Sequence, residues 1–287
     1  MSSNARRSGE PPGSPEPPPL VRSADRQLRC RLAAIDLDGT LLRPDHSISE
    51  RSRAALARAR DAGIRVVLVT ARGPRTVRVL AAEAGLDGSA ICSNGAIALD
   101  LSSGQVVRTR TLAVEVAARL VRELRSRLPG ILFAVESEEI ALEPGFAAWG
   151  WEPPAGTRYA DGLELVAEPV AKLIVRHEEH ALEAVAEAAR ELAGDEAAVT
   201  IAGPWTVEIA TAGVSKAAAL AELCEELEID QAAVVAFGDY PNDVPMLEWA
   251  GHAVAVANAH PDVLAVADEV TASNEEDGVA LVLERLA

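Results

Sequence analysis

Leu32-Ala33-Ala34-Ile35-Asp36-Leu37-Asp38-Gly39-Thr40 sets two carboxylates directly behind a four-residue apolar run. A run with no polar residue on either face suits a strand buried on both sides, as in a parallel sheet covered by helices. Two carboxylates two residues apart face the same side of an extended segment, and a glycine lets the chain turn immediately afterwards. Such a pair can hold a divalent cation through oxygen ligands, or divide the labour of nucleophile and acid/base. A turn with two solvated carboxylates is the plainer alternative, so the decision falls to the rest of the chain.

Outward from this stretch, the pattern on both sides is strand and helix in alternation. Ser47 with Glu50 resembles a capping box for a helix carrying Ala55, Leu56, Ala59 and Ala62, and Gly63 is placed to end it. Residues 64–69 form a second apolar strand. Beyond Ser93-Asn94-Gly95 the spacing predicts strands near 97–99, 105–110, 131–135, 140–142 and 172–176 and helices near 114–128 and 179–193, the pattern of an antiparallel sheet with helices on one side. Strands flanking Gly203-Pro204 end this segment. After Gly213 the first texture returns, with helices at 215–227, 243–249 and 261–266 and strands at 233–237 and 253–256. The expected fold class is therefore α/β: a Rossmann-like parallel-sheet core of residues 29–98 and 212–287, interrupted by an inserted α+β cap domain of residues 99–211. Residues 1–28, rich in Pro, Ser, Gly and charge, have too little apolar surface to offset chain entropy and read as a disordered tail.

Composition excludes several classes of function. The 287-residue chain carries a formal net charge of −17 and 3% aromatic residues, which disfavours a nucleic-acid binder that must neutralise phosphates and stack bases. No apolar run approaches the ~20 residues that span a bilayer, and Met1 to Pro19 lacks the apolar middle of a signal peptide, so no membrane role and a cytoplasmic location are expected. Cys30, Cys92 and Cys224 lie far apart and form no metal-binding pair.

Three further spots fall where strands of the expected parallel sheet end, or where a helix opens behind one, the place where open α/β sheets bind ligands. Thr70 closes the second strand ahead of Ala71-Arg72-Gly73 and can hydrogen-bond a phosphate oxygen, or simply cap a helix. Lys216 opens a helix in Gly213-Val214-Ser215-Lys216, where a solvated surface lysine is the plain alternative. Phe237-Gly238-Asp239-Tyr240-Pro241-Asn242-Asp243 follows a buried strand with clustered acidic residues, which suits a divalent cation.

In this order, the four spots resemble the motifs of the haloacid dehalogenase superfamily of phosphatases. The resemblance spans residues 31–287, and an insert between the Thr and Lys motifs is similar to the class II, B-type cap of Cof-like phosphatases. Ala71 and Ala217 stand where those relatives commonly have Gly. The resemblance implies that Asp36 attacks phosphorus to give an aspartyl-phosphate and that Asp38 transfers protons to the leaving oxygen and from water. It implies Mg²⁺ as cofactor, held by the Asp36 carboxylate, the Asp38 backbone carbonyl and Asp239, with Asp243 beside them, and Thr70, Lys216 and Asn242 on the phosphoryl oxygens. Arg72, Asn94 and Lys172 are candidate substrate contacts, Arg72 and Lys172 for a second anionic group. The aromatic piece from Phe146 through Trp149 and Trp151 to Tyr159 either lines the cleft or fills the cap. His177 and His180 read as surface helix residues. The implied partner is a small phosphorylated metabolite. A phosphosugar mutase and a non-catalytic phospho-acceptor module are the alternatives, and oligomeric state is open.

Overall fold

A computed structural model of the chain describes residues 30–147, 151–202 and 205–287. The expected N-terminal tail, Trp149 and the Gly203-Pro204 pair lie outside the described residues. The first strands and helices are β1 (Leu32–Ile35), α1 (Glu50–Asp61), β2 (Arg65–Val69), α2 (Pro74–Ala84), β3 (Ser89–Cys92), β4 (Ile97–Asp100) and β5 (Gln105–Thr109). Next come α3 (Val114–Arg127), β6 (Leu132–Glu136), β7 (Ile140–Leu142), β8 (Arg158–Tyr159), α4 (Gly162–Leu165), β9 (Lys172–Arg176), α5 (Leu182–Ala193), β10 (Ala197–Ala202) and β11 (Thr206–Thr211). The chain closes with α6 (Lys216–Glu226), β12 (Val234–Gly238), α7 (Val244–Trp249), β13 (His252–Ala255), α8 (Pro261–Val266), β14 (Glu269–Val270) and α9 (Gly278–Leu286).

All four residues of β1 are fully buried, so this strand needs partners on both edges and cover on both faces. It sits mid-sheet in the order β14-β13-β12-β1-β2-β3-β4-β5. Its two neighbours are parallel, with Ile35 opposite Phe237 of β12 and opposite Leu68 of β2. That register ends three strands at one level and sets Asp36, Val69 and Gly238 side by side. Helix α1 packs on α9 and α6 on α7. The α1 N-cap is Ser49, which accepts from the Ser52 N–H, rather than Ser47. Ser47 instead bonds the Asp45 carboxylate in the preceding turn, so the cap moves two residues on.

One domain boundary differs from expectation. Strands β4 and β5, expected to open the inserted domain at residue 99, belong to the eight-stranded core sheet. Only Ser93 to Ala96 separate β3 from β4, and a link that short permits an antiparallel neighbour and no crossover. Alternating exposure along β5 fits its place at the sheet edge.

The insert therefore begins after β5 and forms a second sheet in the order β10-β11-β9-β6-β7-β8, antiparallel except for β7 with β8. Helices α3 and α5 bury Leu120, Val121, Leu124, Val185 and Ala189 in a core with Phe133, Leu173, Val175 and Ile209. Leu112, on the way in, donates to Val170 O at 2.8 Å. The way out runs from β11 to Ser215, so two short links join the cap to the core. Among the described residues, no helix is long and apolar enough to cross a membrane.

Candidate active site

Asp36 continues the β1 ladder, donating its N–H to Phe237 O at 3.1 Å. Leu37 turns its fully buried side chain inward, and its carbonyl accepts from the N–H groups of Thr40, Leu41 and Leu42. The chain thus folds back at once, leaving Asp36 buried and the side chain of Asp38 about half exposed, at 48%.

Behind β12, the Asp243 Oδ2 accepts from the N–H groups of Asp239 and Tyr240 at 3.0 and 3.1 Å. This local bonding curls the acidic loop and aims the other oxygen of Asp243 at Lys216. The Lys216 ammonium lies 2.6 Å from Asp36 Oδ1 and 2.6 Å from Asp243 Oδ1, and all three groups are buried. Lys216 is in place because Ser215 caps α6 through the Ala218 N–H, so the first helical side chain enters the site. Asp239 joins from the side, accepting from the Thr40 hydroxyl at 2.8 Å.

Asp36, Asp239 and Asp243 each offer a carboxylate oxygen within 4.8 Å of the other two. Burial, then repulsion from Asp243, raises the Asp36 pKa well above the ordinary carboxylate value against the pull of Lys216. The same two causes push Asp239 up to about 6. Burial works against the Lys216 charge, but Asp243 and Asp36 hold its pKa above the usual lysine value. Three carboxylates around one ammonium are a site short of positive charge. An all-oxygen donor set with that deficit fits a hard divalent cation.

Asp38 lies apart from this group. Its carboxylate is gripped by Arg72, with Nε at 2.7 Å, and Arg72 also lies 3.0 Å from His46 Nδ1. Arg72 thus lies on the expected proton-transfer residue. Thr70 is fully buried, its hydroxyl accepting from the Arg72 N–H at 3.1 Å and its carbonyl from the Asn94 N–H at 3.0 Å. Asn94 and Asn242 are joined at 3.0 Å.

Lys172, a candidate contact for a second substrate anion, is already engaged within the protein. Its ammonium has three donors, and Glu208 at 2.7 Å, Ala71 O at 2.9 Å and Glu136 at 3.1 Å take them all. The aromatic piece is also placed: Phe146 fills a small cluster with Ala134, Leu142 and Ile174, while Trp151 and Tyr159 are exposed. His177 Nδ1 accepts from the N–H groups of Glu179 and His180, and its other nitrogen faces Pro129 O. Both lie ahead of α5 rather than on it, and His177 is buried, so they are not the surface helix residues expected.

A cavity of about 420 Å³ lies between core and cap, reached by Asn94, Lys216 and Asn242 from one side and by Lys172 and Glu208 from the other. Tyr240 and His260 also line it, as does the β10 stretch from Ala198 to Ile201. Neither these nor Glu136, Glu208 and His46 stood out in the sequence. For Glu208 a signal existed: one acidic residue inside the otherwise apolar Val207-Glu208-Ile209.

A family model of haloacid dehalogenase-like hydrolases matches residues 33–283. The chain belongs to this family. It is 32% identical over 250 residues to the 5-amino-6-(5-phospho-D-ribitylamino)uracil phosphatase YcsE of Bacillus subtilis, covering 87% of this chain and 93% of the relative. It is 30% identical to the pyridoxal phosphate phosphatase YbhA of Escherichia coli, covering 87% and 96%. The crystal structure of a haloacid dehalogenase-like hydrolase from Bacteroides thetaiotaomicron superposes with a TM-score of 0.76 at 28% identity, covering 90% of this chain and all of that one. The site described above thus lies in a hydrolase fold, and the YcsE and YbhA relatives are named as phosphatases.

Proposed function

We propose that this haloacid dehalogenase-like hydrolase is a Mg²⁺-dependent phosphatase of small phosphorylated metabolites, acting through an aspartyl-phosphate on Asp36. The observation that carries this reading is the grouping of buried Asp36 and Asp243, both bonded to Lys216, with half-buried Asp239 at the carboxyl ends of β1 and β12. Asp36, Asp239 and Asp243 would hold the cation with the Asp38 carbonyl, and the ion would supply the charge that lets a carboxylate and a phosphate approach.

The remaining steps belong to the chain itself. Asp36, fixed by its ladder bond to Phe237 and by Lys216, is the nucleophile. Asp38, on the open side, gives a proton to the leaving oxygen and takes one from the water that hydrolyses the intermediate. Lys216, Thr70 and Asn242 neutralise and orient the phosphoryl oxygens. The cavity beside them is of the size that encloses a metabolite-sized leaving group. Names of relatives acting on a ribitylamino-uracil phosphate and on pyridoxal phosphate support small phosphorylated metabolites as the substrate class.

A phosphate-release screen over sugar phosphates, nucleotides and phosphorylated cofactors, run with Mg²⁺ and with chelator, tests this. Release by the wild type, abolished by chelator and by Asp36→Asn in a folded protein, is the expected result. Turnover retained by Asp36→Asn overturns the nucleophile.

A further inference from the structure

Ser93 and Asn94 follow β3 with φ of 51° and 54°, two successive non-glycine residues in the left-handed region. Asn tolerates that conformation, whereas Ser adopts it only when the surroundings impose it. Two of the restraints come from the core backbone: the Ser93 N–H donates to Arg72 O and the Asn94 N–H to Thr70 O. Two come from the cap. The Ser93 hydroxyl donates to Glu136 at 2.7 Å and the Asn94 amide to Glu208 at 2.7 Å.

Both carboxylates share one ammonium, that of Lys172, whose third donor crosses the seam to Ala71 O. Lys172 and Glu208 are buried, and the set carries one excess negative charge. Stability alone does not explain such an arrangement, since well-packed apolar residues commonly do as well as a buried ion group. Its geometry has a direction. A carboxylate can only accept, so the Asn94 NH₂ faces Glu208 and its carbonyl oxygen faces the other way. That oxygen accepts from Asn242 Nδ2 at 3.0 Å, which fixes the Asn242 amide as well.

We propose that Lys172, Glu136 and Glu208 are a seam latch: with the cap seated, they set Asn242 through Asn94, so that the amide meant for a phosphoryl oxygen is positioned only when the cap is closed. The function given to Asn242 rests on the phosphatase reading; the latch itself does not. These are positioning residues, and their effect reaches the reaction only through Asn242.

Non-additivity tests the relay. Glu208→Gln, Asn94→Gly (which keeps the backbone conformation allowed) and Asn242→Ala are each expected to lower kcat about tenfold or more, with KM changed less than about threefold. The pairs are expected to fall no further than the worse single variant. Losses that multiply in the pairs would show Glu208 acting as a structural residue alone, and overturn the relay. Small-angle X-ray scattering tests the latch without any turnover. Folded Lys172→Met, or Glu136→Gln combined with Glu208→Gln where the first does not fold, is expected to have a larger radius of gyration than the wild type. An unchanged radius overturns the latch. A wild type that releases no phosphate from the ester panel overturns the phosphatase reading and leaves the scattering comparison to decide the latch.

Discussion

The Lys216 ammonium and the Asp36 carboxylate lie 2.6 Å apart at the end of β1, both buried, with 180 positions of sequence between them. Asp243 stands equally close to the same ammonium, and Asp239 completes the acidic group. Lys216 is therefore the chain's own counter-charge for a cluster that otherwise repels itself.

Replacing it with an apolar side chain of similar length leaves that cluster uncompensated. Lys216→Met is expected to lose about 3–5 kcal/mol of stability in chelator, the cost typical of removing one partner from a buried ion group. Mg²⁺ should restore a substantial part of the loss, because a divalent ion supplies charge to the same oxygens. Thermal melts with and without the metal read both effects. A variant as stable as the wild type in chelator would mean that water, not Lys216, compensates the carboxylates. Turnover should still fall by at least about a hundredfold with the metal present, since in the proposed mechanism the phosphoryl oxygens lose a cation that the metal does not replace.

With Asp239 in the proposed metal site, cation binding acquires a pH dependence with a definite sign. In the folded, metal-free chain Asp239 holds its proton up to about pH 6, against an ordinary value of 3.8. Between those values the folded state binds more protons than the unfolded one, so this group's contribution to metal-free stability falls as pH rises and levels off above about 6. A cation must displace that proton. The Mg²⁺ concentration for half-saturation should be level above about pH 7 and rise about tenfold per pH unit or more below 6. Titration by thermal shift or calorimetry across pH 5 to 8 measures it. A flat profile down to pH 5 would remove Asp239 from the metal site.

Arg72 separates two roles by kinetics. It holds the Asp38 carboxylate through two of its nitrogens, a fork that lysine cannot reproduce. If its role is to orient Asp38, Arg72→Lys should lower kcat about tenfold for every substrate and change KM little. A contact to a second substrate anion would instead raise KM only for esters carrying that anion. Two esters differing in one carboxylate distinguish the outcomes.

Legibility in the sequence followed the range of the interactions involved. The β1 strand and its carboxylates were visible because burial on both faces leaves a local mark, four apolar residues in a row. The insert was visible from its change of period, but its boundary was not. The pattern of β4 and β5 says that they are strands; only the four-residue link after Cys92 says which sheet they join. Asp36, Thr70, Lys216 and Asp239 stood out because each stands behind a buried strand or opens a helix, and the structure brings Asp36, Lys216 and Asp239 together. Lys172 was visible as a charge but not as a paired one, because a sequence shows a charge and not its partners. Its acceptors Ala71 and Glu208 lie 101 and 36 positions away, and Asn94 lies 114 from Glu208.

Gly39 offers a way to weigh backbone strain against crowding at the proposed metal site. Its φ is +77°, and a Cβ there would lie 2.3 Å from Asp239 Oδ2, closer than any real contact. Gly63, just past α1, has a φ of +86° and nothing within 4 Å of such a Cβ. Gly63→Ala therefore carries the conformational cost alone, about 1 kcal/mol, and should leave metal affinity unchanged. Gly39→Ala carries that cost and also forces Asp239 off its bond with Thr40. It should weaken Mg²⁺ binding at least about tenfold, as an oxygen ligand displaced from a site of this kind does. Calorimetric titration of the two variants side by side reads the difference. Equal affinities would mean that the Asp36 turn can move away from Asp239 without disturbing the acidic group, and that the close approach of Gly39 is a packing feature rather than a part of the site.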